Sequence, residues 1–117
     1  MKTLILMSIL FYQLQTSNIV GKWIFSKHES SKNLDEETKA ITTNAFSKFS
    51  FEFRNDETYD MTKRRKKESG TWKSADGFII TTNTEGFIDK IKFIQKHKDT
   101  IRFEIETGEF VVFHRTQ

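Results

Sequence analysis

Between residues 48 and 54 every second side chain is phenylalanine, with Phe49, Phe51 and Phe53 alternating with Lys48, Ser50, Glu52 and Arg54. A period of two places alternate side chains on opposite faces, so the stretch reads as a strand with one buried face. The same period returns at 58–63, with Tyr59 and Met61 on one side, and at 100–106, with Ile101, Phe103 and Ile105. Further strands are expected at 19–27, 68–73, 78–82, 87–95 and 110–115, the run at 87–95 being apolar on both faces. Turn residues stand between them: Asn55-Asp56-Glu57, the Asp76-Gly77 pair, Asn83 to Gly86, Lys96 to Asp99, and Gly108.

Only one later stretch changes period. Across 34–46, Leu34, Thr38, Ile41 and Ala45 recur at helical spacing, with Phe46 at the end. Asn33 or Asp35 is placed to cap this helix, and Asp35, Glu36 and Glu37 lie in its first turn, where the dipole favours anions. The chain therefore reads as all-β, with about eight strands and one short helix inserted between the first and second. Short turns make neighbouring strands antiparallel, an up-and-down order. Closing such a sheet into a β-barrel removes its edges and turns the phenylalanine face inward. The expected interior is Phe49, Phe51, Phe53, Tyr59, Met61, Trp72, Phe78, Ile80, Ile91, Phe93, Ile101, Phe103, Ile105, Val111 and Phe113.

The first residues have a different character. Met1-Lys2 precedes an apolar run at 3–12 and a polar stretch at 13–18, the layout of a secretory signal peptide. The run is shorter than the ~20 residues of a membrane-spanning helix. Residues 1–17 are thus expected to be a signal, with Ser17 last, and 18–117 an exported domain, periplasmic or secreted. The absence of cysteine excludes the lipid-modified route, a disulfide framework and a thiolate site.

Twelve phenylalanines among 117 residues, with no proline, reinforce the aromatic-cored sheet. A net charge of +3 says little about partners until the positions are considered. The sharpest charge feature is Lys63-Arg64-Arg65-Lys66-Lys67. It has no interleaved aromatic residue and falls at a hairpin tip, so a solvated turn is expected rather than a nucleic-acid surface.

The order of these signals resembles the bacterial lipocalin-like domains, small relatives of the calycin superfamily. The likeness rests on Gly21-Lys22-Trp23 opening the first strand, the acidic helix with Glu36-Glu37-Thr38-Lys39-Ala40, and Phe51-Glu52-Phe53 followed by Asp56-Glu57-Thr58-Tyr59. Ser69-Gly70-Thr71-Trp72-Lys73 and a closing Phe113-His114-Arg115 complete it. The resemblance implies that Trp23 sits at the closed base of the barrel with Arg115 packed across it. Glu57 stands where many members carry glycine, which implies a looser turn. The chain departs from true lipocalins in its shorter length and in lacking their second and third motifs.

Two functions follow as expectations. In the first, the barrel binds a small hydrophobic ligand, with Phe49, Phe51, Phe53, Tyr59, Met61, Trp72, Phe78, Ile80, Phe93 and Phe103 as candidate contacts and the helix as a lid. In the second, the barrel is filled, and its outer face or basic hairpin contacts a protein or the envelope. Catalysis is not expected, and no cofactor or metal is implied. His28, His97 and His114 lie in separate segments without metal-ligand spacing. No serine stands in a nucleophile elbow. Glu104, Glu106 and Asp60 fall on outward parities, so no pair of carboxylates is expected inside.

Overall fold

The structure, a computed structural model, describes residues 19–116. The expected signal segment, 1–17, lies outside the described residues. The strands are β1 (Gly21–Ser30), β2 (Ser50–Phe53), β3 (Thr58–Lys63), β4 (Lys66–Ala75), β5 (Phe78–Asn83), β6 (Ile88–His97), β7 (Thr100–Glu106) and β8 (Glu109–Arg115), with helix α1 (Glu36–Phe46) between β1 and β2. Each strand pairs antiparallel with the next, and β8 returns to β1, closing the eight strands into a barrel. The fold class read from the sequence is therefore observed.

Four of the connections are two residues long: Arg64-Arg65, Asp76-Gly77, Lys98-Asp99 and Thr107-Gly108. Such turns fix the register of the strands they join. Around Asp76-Gly77 they set Ala75 opposite Phe78, Ser74 opposite Ile79 and Trp72 opposite Thr81. Trp72 is buried, so its partner Thr81 and the alternate residue Ile79 are buried with it. This corrects the expected interior: Phe78 and Ile80 lie on the outer face of β5. Phe78 carries the ammonium of Lys90, itself on the outer face, 4.4 Å from its ring centroid.

Alternating chain direction gives the barrel two unlike ends. The base holds the start of β1, the end of β8 and the β2–β3, β4–β5 and β6–β7 turns. The other end holds α1 and the β3–β4, β5–β6 and β7–β8 turns.

The base is sealed as the resemblance implied. Trp23 is fully buried, stands opposite Arg115, and has that guanidinium 4.4 Å from its ring. The indole Nε1 donates to the Ile19 carbonyl at 2.9 Å. Arg115 also donates to the carbonyls of Val20 and Lys98, tying the start of the domain to the β6–β7 turn. A side chain at Gly21, whose φ is +138°, would collide with this guanidinium. Gly70 has a parallel use, since a Cβ there would strike the Thr82 carbonyl of the paired strand. In both Gly-x-Trp segments the glycine admits a close approach and the tryptophan fills the base.

Helix α1 begins as expected: Asp35 caps it, its carboxylate accepting from the Thr38 amide at 2.7 Å. Hydrogen bonding by the Thr38 side chain, and then by its amide, holds the Asp35 carboxyl below its ordinary pKa. The expected apolar stripe is not buried, however. No residue of α1 is buried, and Ile41 is 64% exposed. Only Phe46, in the last turn, packs against the core. Glu57, the expected loose turn, adopts a defined left-handed conformation with φ 68°. Its amide bonds the Arg54 carbonyl, and its own carbonyl accepts from Trp72.

Candidate functional site

The interior is filled in its lower half and open in its upper. Midway up the barrel three inward phenylalanines meet edge to face. Ring centroids are 4.8 Å apart for Phe51 and Phe113, 5.4 Å for Phe51 and Phe103, and 5.5 Å for Phe103 and Phe113. This is the preferred geometry of rings whose edges are positive and faces negative. Below them Phe53 packs on Trp72, 5.2 Å between rings, and Trp72 Nε1 donates to the Arg54 carbonyl at 3.0 Å.

Above the three rings lies a cup of about 270 Å³. Phe51, Phe103 and Phe113 form its floor, and Met61, Ile91 and Val111 contribute to its walls. Phe46, from the end of α1, and Phe49 stand at its side with ring centroids 5.0 Å apart. Ile105, Lys63, Asp89, Lys90 and Glu104 complete the lining at its rim, the ammonium of Lys90 itself lying over Phe78 on the outer face. An aromatic and aliphatic floor under a polar margin is the usual make-up of a small-molecule site. The volume lies between the ~150 Å³ of a cavity that holds benzene and the ~300–1,000 Å³ of drug-sized sites.

Of the ten candidate contacts, the structure gathers Phe49, Phe51, Met61 and Phe103 around the cup. Phe53, Tyr59, Trp72 and Phe93 belong to the packed interior instead. Phe78 and Ile80 are outside it. Five apolar residues outside the ten also line the cup: Phe46, Ile91, Ile105, Val111 and Phe113. The alternation along β8 already put Phe113 inward, but nothing local marks Phe46, which reaches the cup through the placement of α1.

Two carboxylates other than Glu104, Glu106 and Asp60 lie on the interior parity. Glu68 stands opposite Met61 on β4, and Asp89 stands opposite Thr81 on β6, which puts both on the interior parity. Tyr59 Oη donates to Glu68 at 2.7 Å, and Lys63 approaches the same carboxylate at 3.7 Å. Burial, together with this bond to an anion, raises the Tyr59 pKa well above its ordinary value. At the top of β1 and β8, the buried His28 Nε2 lies 3.8 Å from Glu109 and has no hydrogen-bond partner among the described residues. Glu109 is in turn 3.8 Å from Lys32, which pairs with Glu106 at 3.2 Å. His114 faces outward, its ring 2.7 Å from Ser26 Oγ at the β1 bulge. Among the described residues no group of three His, Cys, Asp or Glu is placed to hold a metal. No helix among them is long and apolar enough to cross a membrane.

A second concavity of about 620 Å³ opens beside the cup, between the end of α1 and the β3–β4 hairpin tip. It is lined by Asn44, Ser47, Lys48, Lys63, Arg64, Arg65 and Lys66. Lys63 is common to both.

Solved structures share this architecture. A DUF4847 family protein from Bacteroides vulgatus superposes with a TM-score of 0.58 at 14% identity, over 82% of this chain and 92% of that one. A lipocalin-like protein from Bacteroides uniformis superposes with a TM-score of 0.57 at 12% identity, over 85% of this chain and 99% of its own. At such identities the likeness is one of fold, and the fold is the lipocalin-like barrel anticipated from the sequence. No family model matches the chain, and no curated protein does.

Proposed function

We propose that this protein is a non-enzymatic binding module that holds a small, largely apolar molecule in the cup at the open end of its barrel. The observation that carries this reading is the cup itself. An aromatic floor closed from below, six further apolar side chains around it and a charged margin above form a recess that packing alone leaves unfilled. The lipocalin-like fold supports it, since barrels of about eight strands have room for side chains or for one small ligand. The reading includes export through the segment 1–17. The protein taken from its native cell should then begin near Asn18.

The ligand is tested by releasing small molecules from natively produced protein for mass spectrometry, and by calorimetric titration with short-chain alkanols. The expected result is a stoichiometric apolar ligand or saturable uptake, lost on Met61→Trp, which fills the cup. Absence of both in well-folded protein refutes the reading. It would favour a filled barrel that acts through its surface, for which the exposed Phe87 and Ile88 are the supporting observation.

A further inference from the structure

We infer that the ligand of the cup is an anionic amphiphile, whose acidic head group sits in the cationic groove between the end of α1 and the β3–β4 hairpin tip. The inference rests on the proposed binding reading and specifies its ligand class.

The first support is continuity. Lys63 lines both concavities, and Phe46, Ser47, Lys48 and Phe49 run along their shared border. A molecule seated on the phenylalanine floor and extending past Lys63 therefore enters the groove. The second is uncompensated charge. The groove is lined by five cations and no acid. Lys63 is paired with Glu68, but among the described residues Lys48, Arg64, Arg65 and Lys66 form no ion pair. Lys22, Lys27 and Arg54, near the base and along β1, are each matched, Lys22 with Glu52, Lys27 with Glu29, and Arg54 with Glu52 and Asp60, whereas the groove gathers its cations with no acid among its lining.

The helix end does not supply this compensation. Its last carbonyls are already occupied, Thr43 O by the Ser47 amide at 2.9 Å, Asn44 O by Ser47 Oγ at 3.2 Å and Phe46 O by the Phe49 amide at 2.9 Å. The third support is the turn. Arg64 occupies the left-handed region, φ 54°, in a two-residue hairpin where glycine or asparagine is favoured. The sequence places a charged, long side chain where the backbone disfavours it, as strained residues at binding sites do. Arginine and lysine donors converging without acceptors suit a carboxylate, sulfonate or phosphate head. The small cup restricts the apolar part to one ring or a short chain.

The test is isothermal titration calorimetry of the full chain with octanoate and with 1-octanol, which differ only in the head. The octanoate should bind about tenfold or more tightly at 20 mM salt, and the margin should shrink at 500 mM salt because exposed charges are screened. Replacing Arg64, Arg65 and Lys66 together by glutamine should bring octanoate to the level of octanol and leave octanol unchanged. Equal binding of the two ligands to the unaltered protein would overturn the head-group assignment and leave the cup reading intact. Preferential octanoate binding that survives the triple replacement would overturn it as well, by seating the head elsewhere. Failure of both ligands to bind would remove the cup reading and this inference together.

Discussion

Phe113→Ala should weaken the fold and enlarge the site in one step. Its ring is almost fully buried and meets Phe25, Phe51 and Phe103 at 6.1, 4.8 and 5.5 Å. Truncating a buried phenylalanine costs about 3–5 kcal/mol, of which about 2 kcal/mol is transfer of the side chain itself. The remaining 1–3 kcal/mol, at about 24 cal/mol per Å³ of residual void, corresponds to roughly 40–125 Å³. That void lies directly beneath the cup of about 270 Å³, so the joined space approaches 310–400 Å³. Urea unfolding followed by tryptophan fluorescence measures the first effect. Titration with alkanols from hexanol to dodecanol measures the second, and the preferred chain should lengthen by two or more carbons. A loss of 3–5 kcal/mol with an unchanged chain-length preference would refute the idea that these rings are the floor. A loss below about 1 kcal/mol would show that the ring is not packed as described. Should the alanine variant fail to fold, Phe113→Leu retains part of the packing and should still shift the preference in the same direction.

Glu57→Gly should stabilise the protein by about 0.5–1 kcal/mol. It removes a left-handed cost of about 1–2 kcal/mol, offset by the greater entropy glycine loses on folding. The melting temperature should rise by about 2–8 °C, and a fall would mean the Glu57 side chain contributes contacts that outweigh its backbone. The parity of β5 is tested by a pair of variants: Ile79→Asn should cost more than about 3 kcal/mol because it buries an amide and leaves a void. The adjacent Ile80→Asn should cost under about 1 kcal/mol, and reversed costs in urea unfolding would reinstate Ile80 as interior. Tyr59 should remain a phenol above pH 10, because burial and the bond to Glu68 raise its folded-state pKa. Its contribution to stability is full below pH 10 and is lost as pH rises from there toward the folded-state value. Absorbance at 295 nm in a Tyr12→Phe background should show late phenolate formation, with an earlier onset in Glu68→Gln; onset near pH 10 in both would contradict the buried hydrogen bond.

The architecture was legible because each local signal agreed with the whole. Alternating phenylalanines, tight turns and one change of period leave few alternatives to a closed meander. The closed base came from the resemblance rather than from any pattern in the chain, since it was the family likeness that set Trp23 against Arg115. The misplacement of Phe78 and Ile80 was avoidable. The two-residue Asp76-Gly77 turn fixes the pairing of β4 and β5, and an inward Trp72 then requires an inward Ile79. Hydrophobicity alone favoured Phe78 over Ile79, and the turn decided otherwise. Glu68 and Asp89 were obscured for a related reason. Strict alternation sets a polar residue outward, yet near an open end the inward face meets solvent and tolerates charge. The helix stripe was the least readable feature, because apolar spacing predicts which face is apolar but not whether anything packs against it.

The two ends of the barrel have been built under different constraints. At the base, nearly every feature has a partner: Trp23 with Arg115 and Ile19, Trp72 with Arg54 and Phe53, Gly21 and Gly70 with the groups that approach them. At the open end the connection from β1 to β2 contains an eleven-residue helix where several other joins take two residues. A helix of that length is marginal alone and is normally held by burying a face. Here its main anchorage to the core is Phe46, beside Phe49 at the margin of the cup. The same end leaves Ile41, Phe87, Ile88 and Ile105 exposed and gathers Lys48 with the Arg64-Arg65 tip. Stability alone would shorten the connection, bury or replace those apolar side chains and put glycine in the turn. The helix, the exposed apolar side chains and the cationic tip thus share the end of the barrel at which the recess opens, and none of them is required to close the sheet.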